Sequence, residues 1–300
     1  AEELTKKRVN ATYLPGIELP ETLTATHDLS ALDDCRDVLV VVPSHGFREV
    51  VRSFLRQRKN GQEVNLISAT KGIETEGSAR MSEVCAQEAA AVEQEVGFAV
   101  LAGPTFAAEL SRGLPAAGVV ASADRALATR LQELLAAPNF RLYNSSDVVG
   151  VEIGGTSKNV IAIAAGAVVG LELGHNALAA LITRGLHEIT RLGIACGGQA
   201  RTFSGLAGLG DLVLTCTGGL SRNRRAGLDL AQGKTLEQIT SGAMVAEGIR
   251  NALAISRLAH QMDVEMPITE QMVQVLYENK HPRRAVTELM TRELKAEAAL

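Results

Sequence analysis

Apolar runs alternate with amphipathic stretches through the first half of the chain. Residues 37–43 contain a continuous apolar run closed by Pro43, a pattern typical of a strand buried on both faces of a parallel sheet. The predicted strands are residues 37–43, 64–69, 98–102, 117–121 and 141–143, and the predicted helices are residues 45–57, 79–95 and 124–136. Because strands alternate with helices, this half predicts βαβ units and a mostly parallel sheet.

After about residue 150 the apolar positions recur only at helical spacing. The predicted helices are residues 156–169, 177–196, 223–232, 247–262, 268–279 and 283–291. No clear strand pattern appears in this half of the sequence. The chain therefore predicts two domains, an α/β domain over residues 1–149 and an all-helical domain over residues 150–300.

Composition narrows the class of protein. With 46% hydrophobic residues and a net charge of −4, the chain is typical of a globular protein and lacks the basic balance of most nucleic-acid binders. The longest apolar run, residues 160–173, is too short to span a bilayer, and no secretory signal is evident. The four cysteines are scattered, which suits a reducing cytoplasm, and the six histidines lack metal-site spacing. We therefore expect a cytoplasmic protein with no metal, nucleic-acid partner or membrane span.

Three residues suited to a ligand site follow predicted strands. Pro43, Lys71 and Gly103 each lie just past the carboxyl end of a strand. Because these ends meet at one edge of a parallel sheet, where ligands bind, the three residues predict a cleft. Gly72 would let the backbone approach a ligand closely, although Lys71 alone could equally be an ordinary surface lysine.

Lys158 and Asp211 are the candidates for acid–base chemistry. Lys158 precedes a very apolar helix, and such surroundings would lower the pKa of its ammonium toward neutrality, as a general acid requires. Alternatively, its side chain reaches past the helix to solvent. Asp211 follows a glycine-rich stretch, residues 205–210. It could cap a helix, or it could orient a lysine ammonium through a charge-assisted hydrogen bond.

The segment Ser221-Arg-Asn-Arg-Arg225 gives the strongest signal for an anion site. Planar guanidinium groups match the geometry of phosphate oxygens, and a helix beginning here would add its backbone amides. A solvated basic face is the alternative. Glu247 is either a helix-start glutamate favoured by the helix dipole or a hydrogen-bond acceptor for a ligand.

Several segments taken together resemble one enzyme family. They are Asn10-Ala-Thr-Tyr-Leu-Pro15, Val41-Val-Pro-Ser-His45, Ala69-Thr-Lys-Gly72, Gly103-Pro-Thr-Phe106, Lys158-Asn-Val-Ile-Ala-Ile163, Gly205-Leu-Ala-Gly-Leu-Gly-Asp211 and Ser221-Arg-Asn-Arg-Arg225. Through these segments the chain resembles the bacterial NAD(P)-dependent glycerol-3-phosphate dehydrogenases over essentially its whole length.

The resemblance implies a fold and an activity. The fold would be a Rossmann-type parallel sheet followed by an all-helical domain like that of 6-phosphogluconate dehydrogenase. The activity would be reversible hydride transfer between NADH or NADPH and dihydroxyacetone phosphate, giving sn-glycerol 3-phosphate for phospholipid synthesis. The family resemblance further suggests a homodimer in the cytoplasm.

The resemblance also assigns roles to individual residues. Lys158 would donate or accept the proton on the substrate oxygen, assisted by Lys71 and Asp211. The implied substrate ligands are Lys71, Gly103, Thr105, Lys158, Asn159, Asp211, Ser221, Arg222 and Asn223, and the implied cofactor ligands are Lys71, Ala107, Arg222, Val245 and Glu247.

One departure from the family pattern concerns the dinucleotide-binding turn. No G-x-G-x-x-G follows a strand near the beginning of the sequence. We therefore expect that the amino-terminal strand, turn and helix of the family are missing and that residues 1–149 form an incomplete dinucleotide-binding domain. The alternative to a working enzyme is then a truncated, non-catalytic product that keeps the helical domain and a dimer surface. A related β-hydroxyacid-type dehydrogenase is disfavoured by the arginine segment.

Overall fold

The computed structural model describes residues 2–58, 63–241, 246–294 and 296–297, with side chains from residue 4 onward. The strands are β1 (Val9–Asn10), β2 (Leu14–Glu18), β3 (Asp37–Val40), β4 (Val64–Ser68), β5 (Val96–Ala102), β6 (Ala116–Ala121) and β7 (Phe140–Ser145). The helices are α1 (Glu2–Lys7), α2 (Ser44–Gln57), α3 (Met81–Ala90), α4 (Ala107–Leu110), α5 (Arg125–Leu135), α6 (Val148–Gly170), α7 (Gly174–Ala195), α8 (Ala200–Phe203), α9 (Asp211–Thr217), α10 (Arg222–Ala231), α11 (Leu236–Thr240), α12 (Glu247–Gln261), α13 (Pro267–Tyr277) and α14 (Pro282–Met290).

The main sheet has five strands in the order β3-β4-β5-β6-β7. The pairs β3–β4, β4–β5 and β6–β7 are parallel, which confirms the predicted parallel-dominated α/β sheet. The pair β5–β6 is antiparallel, which the sequence did not predict. Between these two strands the chain forms only the four-residue helix α4, too little to cross over the sheet, so β6 returns alongside β5 in the opposite direction. Strands β1 and β2 form a separate antiparallel hairpin.

Both faces of the sheet are covered, and the interior strand β4 is buried throughout. All five residues of β4 are buried. On one face, Phe47 and Leu55 of α2 pack with Leu66 of β4 and with α3. On the other face, Leu127 and Leu131 of α5 pack against the sheet. This two-sided burial explains why the strands of the first half are continuous apolar runs rather than alternating ones.

Helix α6 forms the core of the second half of the chain. It begins at Val148, eight residues before the predicted start at residue 156, because Asp147 caps it by accepting a hydrogen bond from Gly150 N at 2.9 Å. The helix is therefore longer than the apolar run 160–173 seen in the sequence, and by length and composition alone it could cross a membrane. In the structure 89% of this apolar stretch is buried inside the protein, as in the core helix of a globular domain.

Helices α6 and α10 approach each other through glycines. A methyl group at Gly166 would overlap the carbonyl oxygen of Arg224 and lie 2.9 Å from the Cα atom of Gly227. A methyl group at Gly227 would likewise overlap the carbonyl oxygen of Ile163. The absence of side chains at these two positions lets the two backbones touch, and this contact positions α10 against α6.

Substitution of Gly166 by alanine should disturb this contact. We expect Gly166→Ala to lower the free energy of unfolding by about 1–3 kcal/mol, because the added methyl group overpacks a backbone contact. Gly46→Ala in α2 is the control: its methyl group would meet nothing within 4 Å, and the change should be neutral or stabilising by about 0.5–1 kcal/mol. Urea denaturation measures both, and equal stability of the two variants would contradict the close packing.

Candidate active site

Lys71 lies where β4 and β5 end, at the edge of the sheet that the sequence predicted as a cleft. Its Nζ donates hydrogen bonds to the carbonyl oxygen of Gly103 at 3.0 Å and to Oδ2 of Asp211 at 2.8 Å. Gly103 has a φ of +131°, in a region that L side chains rarely adopt, which orients its carbonyl toward the lysine. Thr105 Oγ1 donates to the same carbonyl at 3.2 Å. The carboxyl edge of the sheet thus meets the first residue of α9.

Lys158 approaches the same carboxylate from the other side. Its Nζ donates to Oδ1 of Asp211 at 2.5 Å and to Oγ1 of Thr215 at 2.7 Å. Thr215 Oγ1 in turn donates to the backbone carbonyl of Asp211 at 2.6 Å. Asp211 is 1% exposed and Lys158 is 4% exposed. One buried carboxylate therefore bridges two ammonium groups.

The protonation of Lys158 is set by its position in the middle of α6. The pKa of Lys158 is lowered to about 8, mainly by burial and in addition by the positive charge of Lys71, while the carboxylate of Asp211 and the neighbouring thiol of Cys216 on α9 act in the opposite direction. The sequence predicted the lowered pKa but placed the lysine at the start of a helix. The correct reason is that α6 begins ten residues before it, so the side chain lies inside the core. Such a group can donate and accept a proton near neutral pH.

Buried amides connect Lys71 to the helices around it. Asn159 Nδ2 donates to the carbonyl oxygen of Lys71 at 3.2 Å, and Asn223 Nδ2 donates to Oδ1 of Asn159 at 2.9 Å. The backbone N–H of Gly248 donates to Oδ1 of Asn223 at 2.9 Å. Asn159 and Asn223 were both expected to bind substrate. In the structure they form a hydrogen-bonded chain that joins α6, α10 and α12 to the loop of Lys71.

Glu247 lies beside Gly72 and contacts Ser44, the first residue of α2. Its Oε2 accepts a hydrogen bond from Ser44 Oγ at 2.9 Å, and its Oε1 accepts from Ser44 N at 3.4 Å. A methyl group at Gly72 would overlap the side chain of Ser44 and lie 3.3 Å from Oε2 of Glu247. Position 72 therefore requires glycine for the loop to fit between these two side chains.

The arginine segment forms the start of α10. Ser221 caps this helix, its hydroxyl accepting a hydrogen bond from Arg224 N at 3.1 Å. Arg222 is exposed and lines a small cleft of about 120 Å³ together with Arg225, Asp229, Ile239 and Ala246. Among the described residues, no hydrogen bond or ion pair joins Arg222 to the lysine pair.

Two further residues, Ala107 and Val245, were predicted to bind the cofactor. Ala107 is exposed at the start of α4. Val245 lies outside the described residues.

Sequence reasoning missed three residues of this site. Thr215 lies four residues after Asp211, so the two share one face of α9, and this spacing was the available signal. Asn251 stands in the same relation to Glu247 on α12, and its Nδ2 donates to the carbonyl oxygen of Lys71 at 3.2 Å. Ser44 directly follows Pro43 at the cleft edge. Only the fold shows what the last two residues contact.

The residues at this edge fit the nicotinamide end of a dinucleotide. Gly72 leaves the backbone free of a side chain beside Lys71, and the Ser44–Glu247 pair supplies a hydroxyl and a carboxylate at the ends of β3 and β4. Among the described strands, none is followed by a G-x-G-x-x-G turn for the pyrophosphate. The fit therefore rests on the residues at the reacting end of the cofactor.

Both halves of the chain match family models. Residues 1–128 match the NAD-dependent glycerol-3-phosphate dehydrogenase N-terminus, and residues 147–287 match the C-terminus of the same family. The glycerol-3-phosphate dehydrogenase [NAD(P)+] of Geobacter sulfurreducens is 52% identical over 300 residues, covering 99% of this chain and 88% of that protein. The corresponding protein of Koribacter versatilis is 48% identical, covering 98% and 87%.

A solved structure extends the similarity to the fold. The crystal structure of glycerol-3-phosphate dehydrogenase from Coxiella burnetii superposes with a TM-score of 0.91 at 41% sequence identity, covering 97% of this chain and 88% of that one. The comparisons do not bear out the expectation of an incomplete dinucleotide-binding domain: the family model of the N-terminus matches residues 1–128. By both family models and by its identity to these relatives, the chain belongs to the NAD-dependent glycerol-3-phosphate dehydrogenase family.

Proposed function

We propose that this protein interconverts dihydroxyacetone phosphate and sn-glycerol 3-phosphate with NADH or NADPH, and that Lys158 transfers the proton. The observation that carries the proposal is the buried carboxylate of Asp211 shared by the ammonium groups of Lys158 and Lys71. A lysine with a pKa of about 8 can act as acid in one direction and as base in the other. The relatives of this protein are named glycerol-3-phosphate dehydrogenase [NAD(P)+].

The chemistry requires a proton for each hydride. When bound, NADH or NADPH would supply the hydride for C2 of dihydroxyacetone phosphate, and the oxidised cofactor would accept it in the reverse direction. As the C2 carbonyl becomes an alkoxide, Lys158 Nζ gives its proton to the oxygen and its positive charge stabilises the developing negative charge. Asp211 and Thr215 hold the ammonium in place, and Lys158 later regains a proton from solvent.

The remaining predicted site residues are assigned to the substrate and to the cofactor. For the substrate, we propose that Lys71, Gly103, Thr105 and Asn159 bind the reacting end, and that Ser221, Arg222 and Asn223 at the start of α10 bind the phosphate. For the cofactor, we propose Lys71, Ala107, Arg222, Val245 and Glu247. We also propose that the boundary at residue 149 separates a cofactor-binding part from a substrate-binding part.

A non-catalytic role is not favoured, because the similarity extends over both halves of the chain and the lysine pair is assembled. We further propose that the enzyme acts in the cytoplasm as a homodimer and supplies glycerol phosphate for phospholipid synthesis. Light scattering coupled to size-exclusion chromatography measures the oligomeric state, and a monomeric mass at micromolar concentration would contradict the dimer.

The pKa of Lys158 predicts opposite pH dependences for the two directions. Reduction of dihydroxyacetone phosphate needs the ammonium form, so its kcat/KM should be constant below pH 7 and fall as the pH rises through about 8. Oxidation of glycerol 3-phosphate needs the neutral amine and should rise over the same interval. Initial rates between pH 6 and pH 10 test this, and parallel profiles for the two directions would exclude a single titrating lysine.

Removal of the lysine should abolish turnover without abolishing cofactor binding. We expect Lys158→Met to lower kcat by about 10²–10⁴-fold, because the proton donor is lost while the apolar stem still fills the core. NADH binding, measured by fluorescence titration, should be unchanged. Retention of wild-type turnover would rule out Lys158 as the proton donor.

Arg222 and Arg225 provide a matched pair, because both are exposed and line the same small cleft. We expect Arg222→Ala to raise the KM for dihydroxyacetone phosphate by about 10- to 100-fold, the loss of about 1.5–3 kcal/mol from a charge-assisted hydrogen bond. Arg225→Ala should change the KM by less than about threefold, as for an exposed charge without a ligand. Equal effects would show that the cluster acts only through its summed charge.

A further inference from the structure

Lys71 belongs to a loop whose backbone is not held by a helix or a strand. β4 ends at Ser68, and no regular element follows until the bridge at Ile73. The ammonium of Lys71 must nevertheless stay within hydrogen-bond distance of Asp211 and Gly103. Something other than secondary structure must therefore fix the backbone of this residue.

Two buried side-chain amides meet at the carbonyl oxygen of Lys71. Asn159 of α6 and Asn251 of α12 each donate to it from Nδ2 at 3.2 Å. The carbonyl has two lone pairs, and each amide takes one of them. The two donors come from different helices, so together they fix the position of the loop relative to both.

Asn251 gains little stability from its hydrogen bonds, because only half of its amide is used. It is 1% exposed, and its Oδ1 is buried without a hydrogen-bond partner among the described residues. An unpaired buried acceptor is costly and offsets the gain from the bond made by Nδ2. What remains is a structural contribution: Nδ2 of Asn251 donates to the loop of Lys71.

Three groups on the first turns of α12 act on the candidate site. Glu247 accepts hydrogen bonds from Ser44, Gly248 N donates to Asn223, and Asn251 donates to Lys71 O. Asn251 follows Glu247 by four residues and so lies on the same face of the helix. Loss of Asn251 would remove the one of these three contacts that reaches Lys71 directly.

We infer that Asn251 is a positioning residue, which holds the backbone of Lys71 from α12 so that the Lys71 ammonium stays on the carboxylate shared with Lys158. The inference rests on the proposed function, since its consequence appears in proton transfer by Lys158. If Lys71 moves away from Asp211, its repulsion of Lys158 weakens and Asp211 is left to Lys158 alone. Both changes favour the charged form of Lys158, so the pKa of this lysine should rise.

The test compares Asn251→Leu and Asn251→Ala with Ser256→Ala. The two Asn251 variants both lose the donor but differ in volume, so an effect common to both reports the hydrogen bond rather than packing. Ser256 is buried on the same helix and donates to Glu270 at 2.8 Å, away from Lys71. The Ser256→Ala variant therefore measures the effect of removing a buried hydrogen bond from α12 without changing a contact to Lys71.

We expect the alkaline limb of the reduction profile to move up by about 0.5–1 pH unit in both Asn251 variants, with kcat at pH 7 lowered about tenfold, as for a misplaced neighbour of the reacting group. Ser256→Ala should leave the limb in place. An unmoved limb in a folded Asn251 variant would overturn the inference. Absence of dihydroxyacetone phosphate reduction by the wild type would instead overturn the proposed function.

A second readout does not depend on turnover. Acetylation by acetic anhydride, followed by peptide mass spectrometry, measures how freely each lysine reacts. Release from Asp211 should increase the labelling of Lys71 several-fold in the Asn251 variants, relative to Lys234, which is paired with Asp229 rather than with Asp211. Unchanged labelling of Lys71 in both variants would show that Asn251 does not hold the loop.

Discussion

The structure of the candidate site depends on one carboxylate shared by two ammonium groups. Asp211 is almost fully buried, and a charge in such a place must be paired and hydrogen-bonded to be tolerated. Lys71 and Lys158 supply that pairing from the end of β4 and from the middle of α6. The three groups together carry one net positive charge, which suits a site for a phosphorylated substrate. The sheet and the helical part of the chain are thereby joined at the point where chemistry is proposed.

Glycines make this convergence possible by removing side chains between backbones. A methyl group at Gly154 of α6 would lie 2.8 Å from the carbonyl oxygen of Ala207, in the π-helical turn Leu206–Gly210 that precedes α9. With glycine there, the turn lies against α6 and Asp211 reaches Lys158. The glycine-rich stretch therefore positions Asp211 through packing, although from the sequence alone it could have been only a connection between helices.

The sequence predicted those features that depend on local patterns. The buried strands appear as apolar runs, and the meeting of Lys71 with Gly103 follows from the rule that parallel strands end at one edge. The start of α6 was missed because its first turns contain Gly150 and Gly154, which lower helix propensity, while tertiary packing stabilises them. The antiparallel orientation of β6 relative to β5 was missed because an apolar run does not indicate in which direction a strand runs. Asn251 contacts a residue 180 positions away, and no spacing rule connects the two.

The arrangement also distinguishes the two lysines as candidates for proton exchange. Burial and the neighbouring charge of Lys71 both disfavour the ammonium form of Lys158, so Lys158 loses its proton more readily than an ordinary lysine. The side chain of Lys158 is 6% exposed, whereas that of Lys71 is 24% exposed and keeps some contact with water. The proton is therefore lost from the residue deep in α6, and the charge of the loop lysine itself promotes that loss. Two identical side chains on one acid thus acquire different roles from their depth in the fold.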